Sequence, residues 1–182
     1  MDLTEKTLQQ DYKYRGKILN LRVDAVQLPN GAPVQREVVE HPGGVTIAAL
    51  TKQNELLFVR QFRYPYGKIL LELPAGKLDA GESDPLQAAQ RELLEETGAY
   101  GTDYAYLGEF YPSAGFCDEV LHLYFCRVSS VGAAAPDEDE FLEAIAIPVE
   151  KAVQMVLNNE IQDGKTQAAV LKTALLLQKS QI

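Results

Sequence analysis

The spacing of hydrophobic positions divides the chain into two parts at about Gly44. Before Gly44, three segments alternate between apolar and polar residues, which is the period of half-buried β-strands, and a Pro-Asn-Gly turn at 29–31 precedes the third segment. After Gly44, the strand segments contain more apolar residues, as in VTIAALT and ILLEL. The pattern predicts a small antiparallel sheet over residues 1–43, followed by a larger sheet.

The second part of the chain mixes strand segments with helical ones. The predicted strands, in sequence order, are VTIAALT, ELLFVRQFR, ILLEL, DYAYLGEFY, EVLHLYFCRV and FLEAIAIP. Helices are predicted at 85–97, at 149–158 and in a final segment that opens near Asp163. A mixed sheet with helices on its faces, which is an α/β fold, fits this order of elements.

The helix predicted at 85–97 has clear signals at both ends. Pro85 suits the first turn, where its missing N–H costs nothing, and Asp84 or Ser83 is placed to cap it. Gly98 supplies the left-handed residue that ends many helices. At about 100° per residue, the apolar positions fall on one side and form a packing face. These positions are Leu86, Ala89 and Leu93, with Thr97 alongside.

Three glutamates, Glu92, Glu95 and Glu96, form an acidic arc on the other side of this helix. Like charges at this spacing repel by on the order of 0.2–0.5 kcal/mol per pair, and negative charge in the last turn opposes the helix dipole by roughly 0.3–1 kcal/mol per group. Arg91 balances only part of this charge. A solvated acidic face is the simpler alternative. However, a divalent cation would remove both penalties, so the arc predicts a site for Mg²⁺ or Mn²⁺.

Composition narrows the classes of function. The 182 residues are 46% hydrophobic and 24% charged, as expected of a globular chain with a sizeable core. The net charge of −9 argues against nucleic acid and anionic membranes as partners. The N-terminus lacks an apolar signal-peptide core, no apolar run has the length of a membrane span, and the two cysteines have no metal-ligand spacing. We therefore expect a cytoplasmic protein with reduced thiols.

The segment around the acidic helix resembles the signature box of the Nudix hydrolases. That box is a glycine, a glutamate and then Arg-Glu-aliphatic-x-Glu-Glu-x-Gly, and the matching residues here are Gly76, Glu82, Arg91, Glu92, Leu93, Glu95, Glu96 and Gly98. Eight residues separate Glu82 from Arg91, one more than the family pattern has, and we place the extra residue in the turn at 83–84. The resemblance implies an α/β/α sandwich with a mixed sheet, preceded by the small N-terminal sheet.

Features outside the box resemble the ADP-ribose pyrophosphatase branch of this family. Pro112 lies 14 residues past Gly98, near the marker proline of that branch, and the loop SAGFCDE is similar to its SPGF-DE loop. A plain Pro/Gly turn would also explain these residues. The resemblance implies an N-terminal sheet at 1–43, which serves dimerisation and substrate contact, and a Nudix domain at 44–182. It therefore implies a homodimer.

The resemblance also implies roles for individual residues. Glu82 would pair with Arg91 and hold the helix face in position. The implied metal ligands are the carbonyl of Ala75 and the carboxylates of Glu92, Glu95 and Glu96. In the related enzymes, arginines of the RQFR and RE…HPG segments contact pyrophosphate or adenine. The implied substrate-binding residues are Arg36, Arg60, Arg63, Glu119 and Pro112, with Arg63 favoured over Arg60. A solvated charge at a sheet edge is the alternative for Arg60 and Arg63.

A separate group is expected to act as general base, because a metal-bound carboxylate is a poor proton acceptor. The PDEDE loop at 136–140 supplies acids just before a strand, and the resemblance implies a catalytic glutamate in this loop. Register favours Glu140 at the strand start, with Glu138 next, and a solvated acidic linker is the alternative. The catalytic residues expected are Glu140, Glu138, Glu95, Arg91 and Glu82.

The resemblance therefore implies Mg²⁺-dependent cleavage of the pyrophosphate of ADP-ribose, which gives AMP and ribose 5-phosphate. Other Nudix substrates stay open at this point, namely a GDP-sugar, a dinucleotide or NADH. An alternative from a different class is a non-catalytic Nudix module that senses a nucleotide. This alternative is disfavoured because all four box glutamates are present and no basic helix-turn-helix follows them.

Overall fold

The computed structural model describes residues 1–79, 81–137 and 140–182. These residues form two compact units. The first unit comprises Met1–Gly43 and Tyr111–Val120, and the second comprises Gly44–Phe110 and Leu121–Ile182. Within the ranges so described, no helix is both long and apolar enough to cross a membrane.

The first unit is built on an antiparallel sheet whose strands follow one another in sequence order. Leu28 donates its N–H to the Ala32 carbonyl at 2.9 Å, which closes the turn before the third strand. Gly31 in this turn has a φ of 86°, a conformation that glycine adopts without strain. The strands are β1 (Lys6–Arg15), β2 (Asn20–Gln27) and β3 (Pro33–Glu40). The predicted N-terminal sheet is therefore confirmed.

The segment Tyr111–Val120 belongs to the first unit through β3. The N–H of Val39 donates to the Phe116 carbonyl at 2.8 Å, and the Val39 carbonyl accepts from the N–H of Asp118 at 3.1 Å. Backbone hydrogen bonds of this kind extend the pairing surface of a strand. The loop that contains SAGFCDE is thus held against the end of β3.

The second unit contains a mixed sheet and three helices among its described residues. The strands are β4 (Gly44–Leu50), β5 (Glu55–Arg63), β6 (Lys68–Glu72), β7 (Ala75–Lys77), β8 (Ala99–Phe110), β9 (Leu121–Val131) and β10 (Leu142–Pro148). The helices are α1 (Pro85–Thr97), α2 (Val149–Leu157) and α3 (Gly164–Gln178). The strand order is β10-β5-β4-β9-β8, with β6 paired to β5 and β7 paired to β4. Because β4 and β9 are parallel and the other pairs are antiparallel, the sheet is mixed.

Strand β4 shows why this unit has three layers. All of its residues are buried, and successive side chains of a strand point to opposite faces of the sheet. Ile47 and Ala49 pack in a cluster with Leu93 of α1, whereas Ala48 and Leu50 belong to a separate cluster that includes residues of α2 and α3. A strand that is buried on both faces indicates helices on both faces. The predicted α/β/α sandwich is confirmed.

Helix α1 begins and ends as its sequence predicts. The Asp84 carboxylate accepts from the N–H of Leu86 at 3.0 Å, so Asp84 is the N-cap. Gly98 has a φ of 70° and donates its N–H to the Leu94 carbonyl at 2.8 Å. A Cβ at Gly98 would also overlap the Gly132 carbonyl, so two separate constraints favour glycine there.

Two short elements were not predicted from the sequence. They are β7, which has three residues, and a single 3₁₀ turn at Tyr64–Tyr66 that connects β5 to β6. Strand β7 forms by antiparallel pairing with β4, with Thr46 opposite Ala75. A three-residue strand has too little pattern for periodicity to reveal it. The pairing matters for function because it fixes the segment that enters the acidic helix.

Candidate active site

The backbone at 74–75 holds one end of the candidate site. The Pro74 carbonyl accepts hydrogen bonds from the Ile47 N–H at 2.9 Å and from the Thr46 hydroxyl at 3.0 Å. The next residue, Ala75, donates its N–H to the Glu96 carboxylate at 3.1 Å. Strand β4 therefore positions the backbone that in turn orients Glu96 of α1.

The acidic arc of α1 lies largely inside the protein. The side of α1 that faces the sheet buries Glu92 and Glu96, and Glu96 is only 1% exposed. The prediction that the arc lies opposite the packing face is wrong for these two residues. At about 100° per residue, Glu96 lies roughly 60° from Leu93, so it shares the buried side of the helix. Counting only apolar residues as core made this side too narrow.

Gly76 makes room for one of the buried carboxylates. A Cβ at Gly76 would overlap the carboxylate of Glu92, so only glycine fits against this side chain as it is placed. The presence of glycine at this position of the box is thus explained by its steric contact with a second box residue, Glu92. The function of this glycine is to leave space for an acidic group beside the backbone of β7.

Arg91 connects the glutamates of the box. Its Nη1 donates to Glu92 at 2.8 Å and to Glu95 at 2.9 Å, and its Nη2 lies 3.4 Å from Glu82. Glu82 also accepts the N–H of Asp79 at 3.0 Å, which fixes the loop before the helix. The extra residue between Glu82 and Arg91 therefore does not prevent their contact.

Burial and neighbouring charge shift the titration of two carboxylates. Burial raises the pKa of Glu96 to about 8, against the opposing effect of the Ala75 N–H. Burial likewise raises the pKa of Glu92 to about 7, although the Arg91 charge lowers it. The charge of Glu140 raises the pKa of both groups further, which places Glu140 within electrostatic reach of α1. A cation at this site would stabilise the charged form of each carboxylate.

These residues fit a divalent cation by chemistry. Glu92 and Glu96 are hard oxygen donors that burial alone makes unfavourable as anions, and Gly76 leaves room for one of them. Among the described residues, side chains of His, Cys, Asp and Glu do not form a group of three arranged as a metal cluster. In this conformation the Arg91 guanidinium bridges Glu92 and Glu95 instead.

The end of α1 is tied to the chain that leads to Glu140. The Gly132 N–H donates to the Gly98 carbonyl at 2.8 Å, and the Ala135 N–H donates to the Glu95 carbonyl at 2.9 Å. These bonds satisfy carbonyls that the helix end would otherwise leave without partners. Glu138, the second residue considered as a base, lies outside the described residues.

Glu140 lines an open cleft of about 490 Å³ at the β5–β10 side of the sheet. Phe62 and Phe141 contribute exposed aromatic surface to this cleft. Arg60 is also present, and its Nη1 donates to Glu143 at 2.8 Å. The cleft thus combines aromatic surface with charge next to a glutamate predicted as the base.

Arg63 makes a paired contact that the sequence did not predict. Its Nε and Nη2 donate to Glu72 at 2.7 and 2.8 Å, and Lys165 also donates to Glu72. Although burial opposes the charged form, the Arg63 bonds and the Lys165 charge lower the pKa of Glu72 to about 2. The sequence does hold one sign of this contact, because Glu72 lies between two leucines at the end of an apolar strand, where a carboxylate needs a charged partner.

The remaining predicted substrate residues lie in the first unit. Arg36 is exposed and forms a two-pronged ion pair with Glu5, at 3.0 and 2.7 Å. Glu119 lies 3.3 Å from Nδ1 of His41, at the end of the loop that begins with the exposed Pro112. Within this unit, the structure brings Glu119 near the His-Pro-Gly turn and leaves Arg36 on the sheet.

The second unit is thus an α/β/α domain with a buried carboxylate site, which is the class defined by this fold and chemistry. The chain belongs to the Nudix family, because the NUDIX domain model matches residues 40–169. The model for the Nucleoside diphosphate sugar hydrolase N-terminal domain matches residues 5–45. The resemblance inferred from the box residues is therefore confirmed. Members of this family generally use divalent cations.

Several curated relatives cover nearly the whole chain. It is 43% identical over 168 residues to the Methanol dehydrogenase activator of Bacillus methanolicus, which covers 91% of this chain and 90% of that protein. It is 40% identical over 183 residues to the ADP-ribose pyrophosphatase of Bacillus subtilis (strain 168), and the alignment covers 97% of this chain and 98% of that protein. It is 33% identical over 165 residues to the GDP-mannose pyrophosphatase of Yersinia enterocolitica, and the alignment covers 84% of this chain and 82% of that protein.

Proposed function

We propose that this protein hydrolyses the pyrophosphate bond of ADP-ribose, or of a closely related ADP-sugar, to AMP and ribose 5-phosphate. The observation that carries the proposal is the buried carboxylate pair Glu92 and Glu96 on α1 of a Nudix domain. The relative named ADP-ribose pyrophosphatase, which matches almost the full length of both chains, supports this choice of substrate.

The cation proposed is Mg²⁺, with Mn²⁺ as a substitute. The residues that would hold it are Glu92, Glu95, Glu96 and the carbonyl of Ala75. When bound, such a cation neutralises charge on phosphate oxygens and lowers the pKa of a coordinated water. Arg91 and Glu82 then act as positioning residues, since they fix the helix face and the loop before it.

Glu140 is the proposed general base, with Glu138 as the second choice. Glu140 lines the cleft, and its charge acts on the carboxylates of α1, which supports a role for it beside the acidic arc. A carboxylate in this place can accept the proton of the attacking water.

We propose substrate contacts for five residues. Arg63 and Arg60 would bind the pyrophosphate or the adenine of the substrate, since both lie toward the end of β5 and Arg60 lines the cleft. Arg36, Glu119 and Pro112 would contribute contacts from the first unit. We also propose a cytoplasmic homodimer in which residues 1–43 serve dimerisation. The exposed Leu8, Tyr14 and Ile18 of this unit support an apolar interface.

A substrate panel tests the proposed function. Purified protein is incubated with ADP-ribose, GDP-mannose, NADH and a dinucleoside polyphosphate, with Mg²⁺ or with EDTA, and the products are separated by chromatography. We expect AMP and ribose 5-phosphate from ADP-ribose only when Mg²⁺ is present. Faster cleavage of another substrate would reassign the specificity within the family. Binding without cleavage of any compound would favour the non-catalytic sensing module.

A second candidate function comes from a different relative. The 43% identity to the Methanol dehydrogenase activator favours a role as an activator of a dehydrogenase. The assay measures the rate of a purified methanol dehydrogenase with and without this protein. An increase that Glu140→Gln abolishes would indicate that activation depends on the same site.

A further inference from the structure

An ion-pair cluster around the buried Glu72 adjoins the candidate site, and we call it the Glu72 cluster (Arg63, Glu72, Asp163 and Lys165). Glu72 is 2% exposed and accepts two hydrogen bonds from Arg63 and one from Lys165. Lys165 also pairs with Asp163 at 3.0 Å, and Asp163 is the N-cap of α3. A buried carboxylate with this many charged donors has one orientation available to it.

The first turn of α3 also holds the backbone that follows Glu72. The Leu73 N–H donates to the hydroxyl of Thr166 at 2.9 Å, and Thr166 is fully buried. Two residues later, the Ala75 N–H donates to Glu96. Lys165 and Thr166 therefore anchor neighbouring residues of one segment, and that segment orients a carboxylate of the acidic arc.

The pair with Glu72 leaves one part of Arg63 unused. The bonds to Glu72 involve Nε and Nη2, and Nη1 has no hydrogen-bond partner in the described part of the chain. The Arg63 side chain is 36% exposed, and its pKa is raised by Glu72 and further by the charges of Glu96 and Asp163. A guanidinium held along one edge presents its other edge in a fixed direction, which suits recognition of a phosphate.

We propose that Glu72 is a positioning residue that holds Arg63 against the pyrophosphate of the substrate, and that Thr166 fixes the adjoining backbone against Glu96. This inference rests on the proposed function and deepens it. In this proposal Glu72 contacts neither the substrate nor a metal ion and acts through Arg63. Loss of the precise placement of a binding group can lower the rate by on the order of 10²-fold.

The first experiment is a double-mutant cycle on the KM for ADP-ribose. In the wild-type background, Glu72→Gln should raise KM by about tenfold with a smaller change in kcat, because substrate binding through Arg63 is lost. In an Arg63→Lys background the same change should alter KM by less than about twofold, since lysine cannot form the two-pronged pair. Glu160→Gln, which removes an exposed carboxylate, serves as the control.

Equal effects of Glu72→Gln in the two backgrounds would overturn the proposal, because a purely structural Glu72 would act independently of Arg63. If Glu72→Gln does not fold, the cycle is run with Glu72→Asp, which keeps the charge and shortens the side chain. No KM change for that variant in the wild-type background would count equally against the proposal.

The second experiment tests the α3 anchor with a matched pair of variants. Thr166→Val removes the acceptor for Leu73, whereas Thr173→Val removes a buried hydroxyl on the same helix that has no partner among the described residues. We expect Thr166→Val alone to raise the Mn²⁺ concentration for half-saturation, by about tenfold. Indistinguishable Mn²⁺ titrations would overturn the role given to Thr166. Calorimetric Mn²⁺ binding keeps this test separate from the proposed function, since it is measured even if wild-type protein cleaves no ADP-ribose.

Discussion

Two buried glutamates of the second unit titrate in opposite directions, although both are nearly inaccessible to solvent. Glu72 is 2% exposed and has a pKa of about 2, whereas Glu96 is 1% exposed and has a pKa of about 8. The difference comes from their partners. Glu72 faces the cations Arg63 and Lys165, while Glu96 accepts one backbone N–H and lies near other carboxylates. Burial alone therefore does not decide the charge of a side chain in this protein.

The lowered pKa of Glu72 predicts a pH-dependent contribution to folding stability. A carboxylate whose pKa falls from 4.5 to about 2 on folding stabilises the native state above pH 4.5 and loses this contribution as pH falls toward 2. We expect Glu72→Gln to lower the free energy of unfolding at pH 7 by about 2–4 kcal/mol, and this difference to shrink by roughly half at pH 3. Urea unfolding of both proteins at the two pH values measures it. A difference that is constant with pH would contradict the assignment.

The position of Glu140 predicts a large effect on chemistry and a small one on cation binding. Glu140→Gln should lower kcat by about 10²–10⁴-fold, because the attacking water loses its proton acceptor. The Mg²⁺ concentration for half-maximal activity should change little, and the pH–rate profile should lose its acidic limb. Glu138→Gln is the comparison variant. If each variant keeps more than about a tenth of the wild-type kcat, the base is another residue.

At the scale of elements, α1 was predictable because its signals are local. Pro85, the Asp84 cap and Gly98 lie within or beside the helix, and each acts on the backbone next to it. Strand β7 was not predictable, since it exists only through pairing with β4. The same applies to the site: Arg91 and the acidic arc were visible in one segment, whereas the Lys165–Glu72 contact joins residues 93 positions apart.

The contact between β7 and α1 predicts the effect of a single methyl group. Gly76→Ala should displace the Glu92 carboxylate, because the new Cβ would occupy its place. We expect a loss of kcat of about 10²-fold and weaker Mn²⁺ binding, with a stability loss of about 1–3 kcal/mol. Gly132→Ala is the matched control, since its Cβ would meet only the Gly98 carbonyl at an ordinary 3.8 Å. Mn²⁺ binding as tight as in the control would show that Glu92 has room elsewhere.

At the scale of the whole molecule, the first unit leaves much of its apolar surface exposed. β1 is exposed along almost its full length, and a sheet edge with unpaired backbone groups is a common association surface. Removal of residues 1–43 should therefore abolish both dimerisation and activity. Light scattering with detection of molar mass measures the first effect and the substrate assay the second. A full-length protein that is active and has the molar mass of a monomer at every concentration measured would refute this prediction.

The hydrogen bonds from Gly132 and Ala135 to the end of α1 set a limit on how far Glu140 can travel. Ala135 is pinned to Glu95, and the chain from residue 135 to residue 140 can span at most about 18 Å. The proposed general base therefore follows a short segment that is hydrogen-bonded, at residue 135, to the helix that carries the acidic arc. A shift of α1 carries Ala135 with it, whereas Glu140 lies two residues before β10, which is paired to β5. The segment from 135 to 140 therefore limits how far α1 and Glu140 can separate while the bond from Ala135 to Glu95 is kept.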